Sequence, residues 1–485
     1  GLAVAGEDPC NYNKNAKAQN IKVCAGAVTS GVAGICDYGD SCAEAPNTTC
    51  QAKDVCVLDA QHGPFAVAIF NPDLVAVDVT ISNAAGHSKT ITIESGKFET
   101  MLPQTLGFPD QSLDYSGIET KAYRLQSTRP VVAYQFNPLD NVGVFSNDAS
   151  LLLPTHTFDT AYYYLGYPTV KRRPANQDWN EYATVVASAP GTTNITVAPT
   201  VGIRAGLSVK AIAAGTKASF SLSQFQTLTL QALPDASSET NNKKGLTGTL
   251  IWGDQPFGAF SGHEATCLLE TPALMCSADH LEDQIFPATT WGYSYVVARS
   301  KQRASEPDLV RILAQKEATS VQINDAASSC KVLGPGEHCD IFIKHDVKIS
   351  ANQPILVGHF LVGLPIPEKP TGPVLGDPAL SFSLPVEQYR TSYAFLVPDK
   401  YNENYVSLVM PDGATVQLDD VNVTDQFGPI GSGDYQGARI PVSPGQHTLT
   451  CPGTCGVEVH GYSPTVSYLY AGGLNLKQIV AGPQL

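Results

Sequence analysis

A recurring order of short apolar segments constrains this chain more than any other feature of its sequence. In residues 246–287 an alternating apolar run enters a turn, restarts at Pro256 with FGAF and, after a variable loop, gives a second apolar segment. The same order occurs upstream as YRLQSTRPVVAYQF followed by SNDASLLLP, and downstream as VKISANQPILVGHF followed by DPALSFSLP. Two prolines frame each copy, 31 positions apart in two copies and 24 in the other: Pro256 and Pro287, Pro354 and Pro385, Pro130 and Pro154. Such recurrence indicates a repeat architecture.

The repeat divides the chain into a leader and four related units. We place a cysteine-rich leader at residues 1–62 and the units at about 63–154, 155–287, 288–385 and 386–485. Within the units, apolar and polar side chains alternate as half-buried strands require, and turns rich in Gly, Asn and Pro separate the runs. The sequence therefore predicts an all-β protein with a small disulfide-rich segment at its N-terminal side.

The first and last units differ in a way that suggests how the chain is closed. The first unit lacks the opening tyrosine-rich strand that the others have, whereas the last is followed by a surplus strand, VSYLYAGGLNL. If that strand fills the vacancy, the four units form a closed β-propeller-like ring, which protects strand edges. The alternative is four β-sandwiches in tandem, with the extra strand completing the last. We favour the ring.

The cysteines predict disulfides and an oxidising compartment. The twelve cysteines include no CxxC pair of the kind that binds zinc. Three close pairs are expected to be bridged: Cys267 with Cys276, Cys330 with Cys339, and Cys451 with Cys455. Six more hold the leader, in pairings that the sequence does not decide: Cys10, Cys24, Cys36, Cys42, Cys50 and Cys56. We therefore expect a secreted or cell-surface protein.

Charge argues against a nucleic-acid partner, and hydropathy argues against a segment that spans a membrane. The formal net charge of −15 opposes a nucleic-acid backbone, because no excess of Lys and Arg can replace the counterions. The chain also has no run of eighteen apolar residues, so we predict no transmembrane segment. The remaining candidates are a protein or glycan on a surface, or other copies of this chain.

One polar cluster has the composition of a metal site. His263 and Glu264 would lie near Asp279, His280 and Glu282 if Cys267 and Cys276 are bridged. Imidazole and carboxylate could bind a structural calcium or another divalent ion there; we otherwise expect no cofactor. The metalloprotease helix motif is absent, since Cys267 occupies the place of its second histidine. We favour the alternative, in which these side chains bond turn amides.

The same acids are the only candidates for catalysis. Glu264 could be paired with Asp279 or Glu282 as the two carboxylates of a glycosidase, but nothing in the sequence selects them. The equivalent position in the third unit, Asp377, is followed by proline and lacks the histidine and glutamate. The chain contains no GxSxG nucleophile motif and no P-loop. We therefore expect no enzymatic activity.

Recognition is expected on long loops between matching strands. The longest insertions are residues 137–147, 171–180 and 363–376, and binding residues concentrate in such loops. Tyrosines that point outward from the strands that begin the units are further candidates, among Tyr162, Tyr163, Tyr164, Tyr293 and Tyr295. The loop residues that we predict to bind a partner are Asn137, Asp140, Asn141, Lys171, Arg172, Arg173 and Trp179.

Four phrases together resemble a known family: VVAYQFNPLDNVGVFSNDASLLLP, SGHEATC with CSADHLEDQIFPATTWGYSYVV, NYVSLVMPDGATVQLDD, and VSYLYAGGLNL. From about Phe65 to Leu474 the chain resembles the IgGFc-binding protein N-terminal domain family, found in secreted mucin-associated proteins and in large bacterial surface proteins. The resemblance implies an extracellular binding or adhesive module without enzymatic activity. It does not imply that this protein binds an antibody.

Three functions follow as hypotheses. The first is an extracellular adhesion protein that recognises a protein or glycan partner through loops on a β-repeat scaffold. The second is a structural subunit of a fibre, sheath or surface assembly, and the third is a carbohydrate-active enzyme. A stable monomer that captures a partner favours the first, unaided polymerisation favours the second, and product release from a glycan favours the third.

Overall fold

The computed structural model of this chain describes the backbone of residues 2–4, 17–24 and 50–58, and then residues 65–139, 146–171, 178–234, 244–268, 277–364 and 375–483. In the leader, β1 (Leu2–Val4), β2 (Lys17–Cys24) and β3 (Cys50–Leu58) form one antiparallel sheet with the order β1-β3-β2. Throughout the described residues, regular structure consists of strands and short 3₁₀ turns. The all-β prediction is confirmed.

The first unit is a sandwich of two sheets. Its strands are β4 (Ala66–Phe70), β5 (Val77–Asn83), β6 (Ser88–Ile93), β7 (Phe98–Met101), β8 (Gly117–Glu119), β9 (Tyr123–Ser127), β10 (Val132–Asn137) and β11 (Asp148–Leu152). One sheet has the order β11-β10-β4-β7 and the other the order β6-β5-β9. Alternate residues Val77, Val79 and Ile81 are fully buried between the sheets, as the period of two in VDVTIS predicts.

The second unit is built around one long strand that belongs to two sheets. Its strands are β12 (Asp159–Tyr163), β13 (Val170–Lys171), β14 (Asp178–Trp179), β15 (Glu181–Ala187), β16 (Thr192–Ala198), β17 (Ala218–Ser223), β18 (Thr227–Gln231), β19 (Leu250–Thr266) and β20 (Asp279–Gln284). The first half of β19 pairs with β12 and β16, and its second half pairs with β15 and β20. β8 of the first unit extends this assembly by pairing with β18.

The third and fourth units repeat this plan. The third contains β21 (Gly292–Val297), β22 (Asp308–Ala314), β23 (Val321–Ile323), β24 (Ala326–Ala327), β25 (His338–Ile343), β26 (Val347–Leu361) and β27 (Ala379–Phe382). The fourth contains β28 (Arg390–Val397), β29 (Glu403–Pro411), β30 (Gln417–Leu418), β31 (Val421–Asn422), β32 (Gly428–Ile430), β33 (Tyr435–Pro441), β34 (Gly445–Ser463) and β35 (Val466–Ala471). β26 pairs with β21 and β23 and then with β22 and β27, and β34 pairs with β28 and β30 and then with β29 and β35.

A tyrosine supports the point at which each long strand passes from one sheet to the other. Bulges mark this point in the pairings of β12 with β19, β21 with β26, and β28 with β34. There Tyr162, Tyr295 and Tyr393 each accept the backbone N–H of the residue three positions earlier. Each hydroxyl also donates to a carbonyl of the long strand. The tyrosines thus satisfy backbone groups that the bulges leave unpaired.

The four units meet through the short strands that end them. Each of β11, β20, β27 and β35 pairs with the strand that precedes it in the chain, which is β10, β19, β26 or β34. β11 contacts β20 and β35, and β27 contacts the same two strands, so the contacts run through all four units in a closed circuit. One hydrophobic core follows this circuit and includes Tyr134, Phe257, Phe382 and Tyr470, one from each unit.

The structure differs from two predictions, one about the role of β35 and one about propeller blades. β35 is not a surplus strand that fills the vacancy in the first unit, because it pairs with β34 in the position that β11, β20 and β27 hold in theirs. The second, third and fourth units are each built on a long strand that pairs with two sets of strands, and the first unit is two separate sheets, so none is a single blade. The described residues form several antiparallel sheets, and these are not the blades of a propeller.

The disulfide prediction is confirmed for two pairs. Cys330 is bridged to Cys339, and Cys451 to Cys455 within β34, where it spans the bulge opposite β28. Cys267 is also disulfide-bonded; its expected partner, Cys276, lies outside the described residues. For the leader, only backbone positions of Cys24, Cys50 and Cys56 are described, and Cys10, Cys36 and Cys42 are not. None of the helices in the described ranges could cross a membrane.

We expect Tyr134→Phe to lower the free energy of unfolding by about 1 kcal/mol, the usual net contribution of one buried hydrogen bond. The buried Tyr134 hydroxyl lies 2.9 Å from the carbonyl oxygen of Ala394 and 2.7 Å from that of Gly472, and so links the first unit to the fourth. Urea denaturation of the oxidised protein measures the change. The control is Tyr405→Phe, which removes a hydrogen bond to Glu403 at the surface. Equal losses in the two variants would contradict a linking role for Tyr134.

Candidate functional site

The side chains that we predicted as one metal site are held in separate groups. His263 is fully buried, donates from Nε2 to the Pro168 carbonyl at 3.0 Å, and accepts the Ala265 N–H at Nδ1. Glu264, the next residue of β19, accepts hydrogen bonds from the backbone and side-chain nitrogens of Asn180 and from Gln231. Because neighbouring residues of a strand point to opposite faces, these two side chains diverge. Burial raises the pKa of Glu264 to about 7.

The other three residues lie on β20, where the first two units meet. His280 Nδ1 lies 3.0 Å from the Ser146 hydroxyl and 3.5 Å from Asp279, while Glu282 accepts from Gln135 and Asn137. Burial raises the pKa of Asp279 and of Glu282. Burial also opposes the charging of His280, but the hydrogen bond and charge of Asp279 outweigh it and raise the pKa of that imidazole. His280 and Glu282 of the second unit thus bond side chains of the first unit and join the two units.

The five residues therefore do not form one ligand set. Within the part of the chain that the structure describes, no three His, Cys, Asp or Glu side chains are grouped so as to hold a metal ion. Tyr182 lies over Gly262, on the face that carries Glu264 and Glu282, and the charges of both acids add to the burial that raises its pKa. The arrangement matches the interpretation in which these acids bond neighbouring amides.

The predicted binding loops lie largely outside the described residues. Asp140, Asn141, Arg172 and Arg173 are among the residues not described, and Lys171 is described only as backbone in β13. Asn137 ends β10 and donates to Glu282, and Trp179 is partly buried in β14. Of the candidate tyrosines, Tyr162 to Tyr164 and Tyr295 are buried, whereas Tyr293 is 36% exposed. The loop prediction stays a prediction.

Sequence reasoning missed a groove of about 600 Å³ at the end of the short unit-ending strands. It lies among the 3₁₀ turn Thr155–Thr157, the 3₁₀ turn Ala288–Thr290, the start of β28 and the segment after β35. Its volume is that of a small-ligand site. We call it the polar groove, because His156, Arg390, Asn475 and Gln478 line it. One sequence feature could have pointed to this groove. A proline follows the final apolar segment of the first three units (Pro154, Pro287 and Pro385), but Leu474 stands there in the fourth.

A charged group, the His359 clamp, is buried between the third and fourth units. His359 Nδ1 lies 2.7 Å from Glu458 Oε2, and its Nε2 lies 2.9 Å from Asp308 Oδ2. Burial disfavours the imidazolium, but the charges and hydrogen bonds of the two acids outweigh it and raise the pKa of His359 to about 10. Burial likewise opposes the charge of Asp308, yet His359 and Ser300 lower the pKa of that carboxyl to about 2. The clamp is therefore an ion triad with both ring nitrogens occupied, which suits structure rather than proton transfer.

Acidic side chains of one unit also hold the short strands of other units. Asp148 accepts the N–H of Ala149 in its own strand, and those of Glu282 in β20 and Leu380 in β27. Asp283 accepts the N–H of Phe382 at 2.9 Å. Both carboxyls are almost fully buried, and burial raises their pKa well above the ordinary value. They satisfy amides on the strand edges that face the middle of the circuit.

Comparisons with known proteins give one informative match. The model of the IgGFc binding protein family matches residues 148–461, more than half of the chain. No curated protein matches the chain.

Matches to solved structures are weak. They include an anti-sigma factor domain-containing protein (12% identity, 34% of this chain and 78% of that chain, TM-score 0.11) and another from Clostridium clariflavum (11%, 48% and 86%, TM-score 0.13). A tetra-tandem repeat from the extending region of a large adhesion protein covers 86% of this chain and 97% of its own, at 11% identity and a TM-score of 0.09. TM-scores this low support no argument.

Proposed function

Because the chain belongs to the IgGFc binding protein family, we propose that it is an extracellular binding or adhesion protein that recognises a protein or glycan at a surface. The family match over residues 148–461 carries this proposal. Its disulfides, Cys330 to Cys339 and Cys451 to Cys455, are consistent with an oxidising compartment, and we extend this to secretion or display on a cell surface.

In this proposal, the four units form a ring whose rigid strands present loops to the partner. Binding residues on loops need a scaffold that fixes their positions. The closed circuit of β11, β20, β27 and β35 supports such a scaffold, because each unit is held by two neighbours. The loops of residues 137–147, 171–180 and 363–376 remain our candidates for the contact surface.

The test is capture by the full-length oxidised chain. We would couple it to a sensor surface and apply immunoglobulin Fc fragment, a secreted mucin and an array of free glycans in turn. Saturable, reversible retention of at least one probe by a chain that sediments as a monomer is expected. The matched control is the same chain after reduction and alkylation, which should lose retention. Failure to retain any probe, together with polymerisation of the chain, would replace this proposal by the structural one.

One observation favours the second function, a structural subunit. β25 forms the edge of its sheet, with no further strand beyond it among the described residues. Phe342 in this strand is 40% exposed, and the nearby Val332 is 60% exposed. Unpaired strand edges with apolar side chains can template pairing with another chain. Sedimentation velocity across a concentration series separates the two functions, since only the structural subunit should grow into polymers.

We also propose that the protein acts without catalysis. The third hypothesis, a carbohydrate-active enzyme, would require Glu264 and Glu282 to act on a sugar. Both acids already accept two or more hydrogen bonds from neighbouring amide groups. Incubation with a glycan panel should release no product. Release that is lost in Glu264→Gln or Glu282→Gln would establish the enzyme instead.

A further inference from the structure

The polar groove lies where the repeat is interrupted. Asp159, Gly292 and Arg390 hold equivalent positions at the start of β12, β21 and β28, because each donates its backbone N–H to the tyrosine three residues later. These positions stand beside the bulges, next to the 3₁₀ turn that follows in the circuit. The Asp159 carboxylate bonds Thr289 of the next turn, and a Cβ added at Gly292 would meet Pro385 and Glu387 of the next turn, so this position faces the turn.

In two units the next turn provides a polar side chain, which bonds the Asp159 carboxylate in one and the backbone beside Gly292 in the other. Thr289 donates from Oγ1 to Asp159 Oδ2 at 2.7 Å, and Glu387 accepts the N–H of Tyr293 beside Gly292 at 3.1 Å. Thr289 and Glu387 are each two residues after the proline that ends the preceding unit. The corresponding residue after the fourth unit, two positions beyond Leu474, is Leu476. The fourth copy thus lacks the polar side chain that Thr289 and Glu387 supply in the second and third.

Arg390 is left without a partner at this place. Among the described residues, its guanidinium makes no hydrogen bond and no ion pair, although the residue is partly buried and lines the polar groove. A guanidinium offers five donors in a planar fork that fits a carboxylate bidentately. Asp159 is the other charged group of the lining, and its carboxylate already accepts bonds from Thr160 and Thr289. An anionic group from outside would supply the guanidinium with a partner that the described residues do not.

We propose that the polar groove binds an acidic sugar residue of a glycan, with the sugar carboxylate on Arg390. This rests on the proposed binding function and names the ligand class of one site. The groove volume of about 600 Å³ accommodates a single sugar residue, and the side chains of His156, Thr157, Asn475 and Gln478 supply donors and acceptors for its hydroxyls. An acidic peptide side chain would offer one carboxylate and then methylenes, and would leave these polar groups unmatched.

The test measures binding of small probes to the full-length oxidised protein by calorimetry and ligand-observed NMR. The probes are the methyl glycosides of glucuronic acid, galacturonic acid and N-acetylneuraminic acid. The first two are uronic acids and the third is a sialic acid, so the two sources of a sugar carboxylate are tested separately. Each is compared with its methyl ester. We expect at least one acid to bind, and its ester to bind at least roughly tenfold more weakly, because charge-assisted bidentate bonds are lost. A short glutamate-rich peptide is the competing probe.

Variants of the groove locate the site. Arg390→Gln should weaken binding of the acid by at least roughly tenfold and leave the ester unchanged, and Arg390→Lys should give an intermediate affinity. The matched control is Arg124→Gln, which removes an exposed arginine of β9 in the first unit and should have no effect. Because the Arg390 guanidinium makes no hydrogen bond or ion pair among the described residues, the melting temperatures of all three variants should match that of the unmodified chain.

Several outcomes would overturn the assignment. These are equal binding of acid and ester, unchanged binding in Arg390→Gln, absence of binding by all three sugars, and tighter binding of the peptide than of any sugar. The capture assay on Fc fragment, mucin and glycans is scored separately. If the chain still captures one of those probes while the groove fails these tests, the binding function stands and only the site assignment falls.

Discussion

His359→Ala is expected to lower the free energy of unfolding by about 3–5 kcal/mol, because removing one member of a buried ion group leaves uncompensated charges. The imidazole separates Glu458 and Asp308, of which Asp308 is fully buried. The two acids belong to different units, so the loss should appear as earlier separation of the third unit from the fourth. Urea denaturation followed by tyrosine fluorescence measures it.

The matched control for this variant is His447→Ala. His447 is also buried and also bonded at both nitrogens, to Asp419 and to the Ser443 carbonyl, but Asp419 is near the surface and all three residues belong to the fourth unit. We expect a loss of about 1–2 kcal/mol there, mainly from the cavity and the two hydrogen bonds. Comparable losses in the two variants would show that the His359 clamp contributes no more to the free energy of unfolding than an ordinary buried histidine.

The pH dependence of the same variant follows from the direction of the shifts. The pKa of His359 is raised from 6.5 to about 10, so its stabilisation is complete below pH 6.5 and is lost as the pH rises through 10. The pKa of Asp308 is lowered from 3.8 to about 2, so its stabilisation is present above pH 3.8 and is lost as the pH falls through 2. The stability difference between the unmodified chain and His359→Ala should therefore be largest between pH 4 and 6.5. A difference independent of pH from 5 to 10 would refute a charged clamp.

Asp148→Ala is expected to cost a comparable amount, about 3–5 kcal/mol. The substitution removes the acceptor of three buried N–H groups, in Ala149, Glu282 and Leu380, and each unsatisfied group costs about 1–3 kcal/mol before local relaxation. Because these groups belong to three units, the variant should unfold over a broader range of urea concentration. Hydrogen exchange should show faster exchange in β20 and β27, the strands that the carboxylate holds.

The control for Asp148 is an aspartate with similar bonds in a different setting. Asp254 accepts the backbone and side-chain N–H groups of Asn194, but it is exposed and all of its bonds lie within the second unit. Asp254→Ala should therefore cost less than about 1 kcal/mol, since water replaces the lost acceptor. If both variants lost the same stability, the carboxylates of the circuit would not hold the units together.

The alternation of apolar and polar residues predicted individual strands, but it did not predict which strands pair. The alternation in VDVTIS predicts β5 because burial of every second residue follows directly from strand geometry. The sequence predicts two apolar runs separated by a turn before Pro256, but residues 250–266 form one strand, β19. Pro256 interrupts the apolar pattern there without ending the strand, since it lies at the bulge, where a missing N–H is tolerated. The role of β35 was misjudged because pairing partners cannot be derived from a segment that is apolar throughout.

The site was less predictable, because its parts are distant in sequence. His359 lies inside the apolar run PILVGHF, where a histidine usually satisfies a local bond, and its partners Asp308 and Glu458 are 51 and 99 positions away. Arg390 has no distinguishing sequence context. Among the described residues, Arg390 lacks a polar partner because Leu476 stands where the other units have Thr289 and Glu387. This difference is seen only when the fourth unit is compared with the others. Conversely, the cluster of His263, Glu264, Asp279, His280 and Glu282 looked dense in sequence but is divided by strand alternation.

The tyrosine-supported bulges also set the rules by which the outer parts of this protein can diverge. An insertion of one residue in an uninterrupted strand would turn every later side chain to the wrong face. In β19, β26 and β34 the bulge can absorb such a shift, so the outer half can change length while the half that faces the neighbouring units keeps its register. The outer parts of these three units can therefore tolerate insertions that the strands facing the circuit cannot, as long as the tyrosine at the bulge is kept.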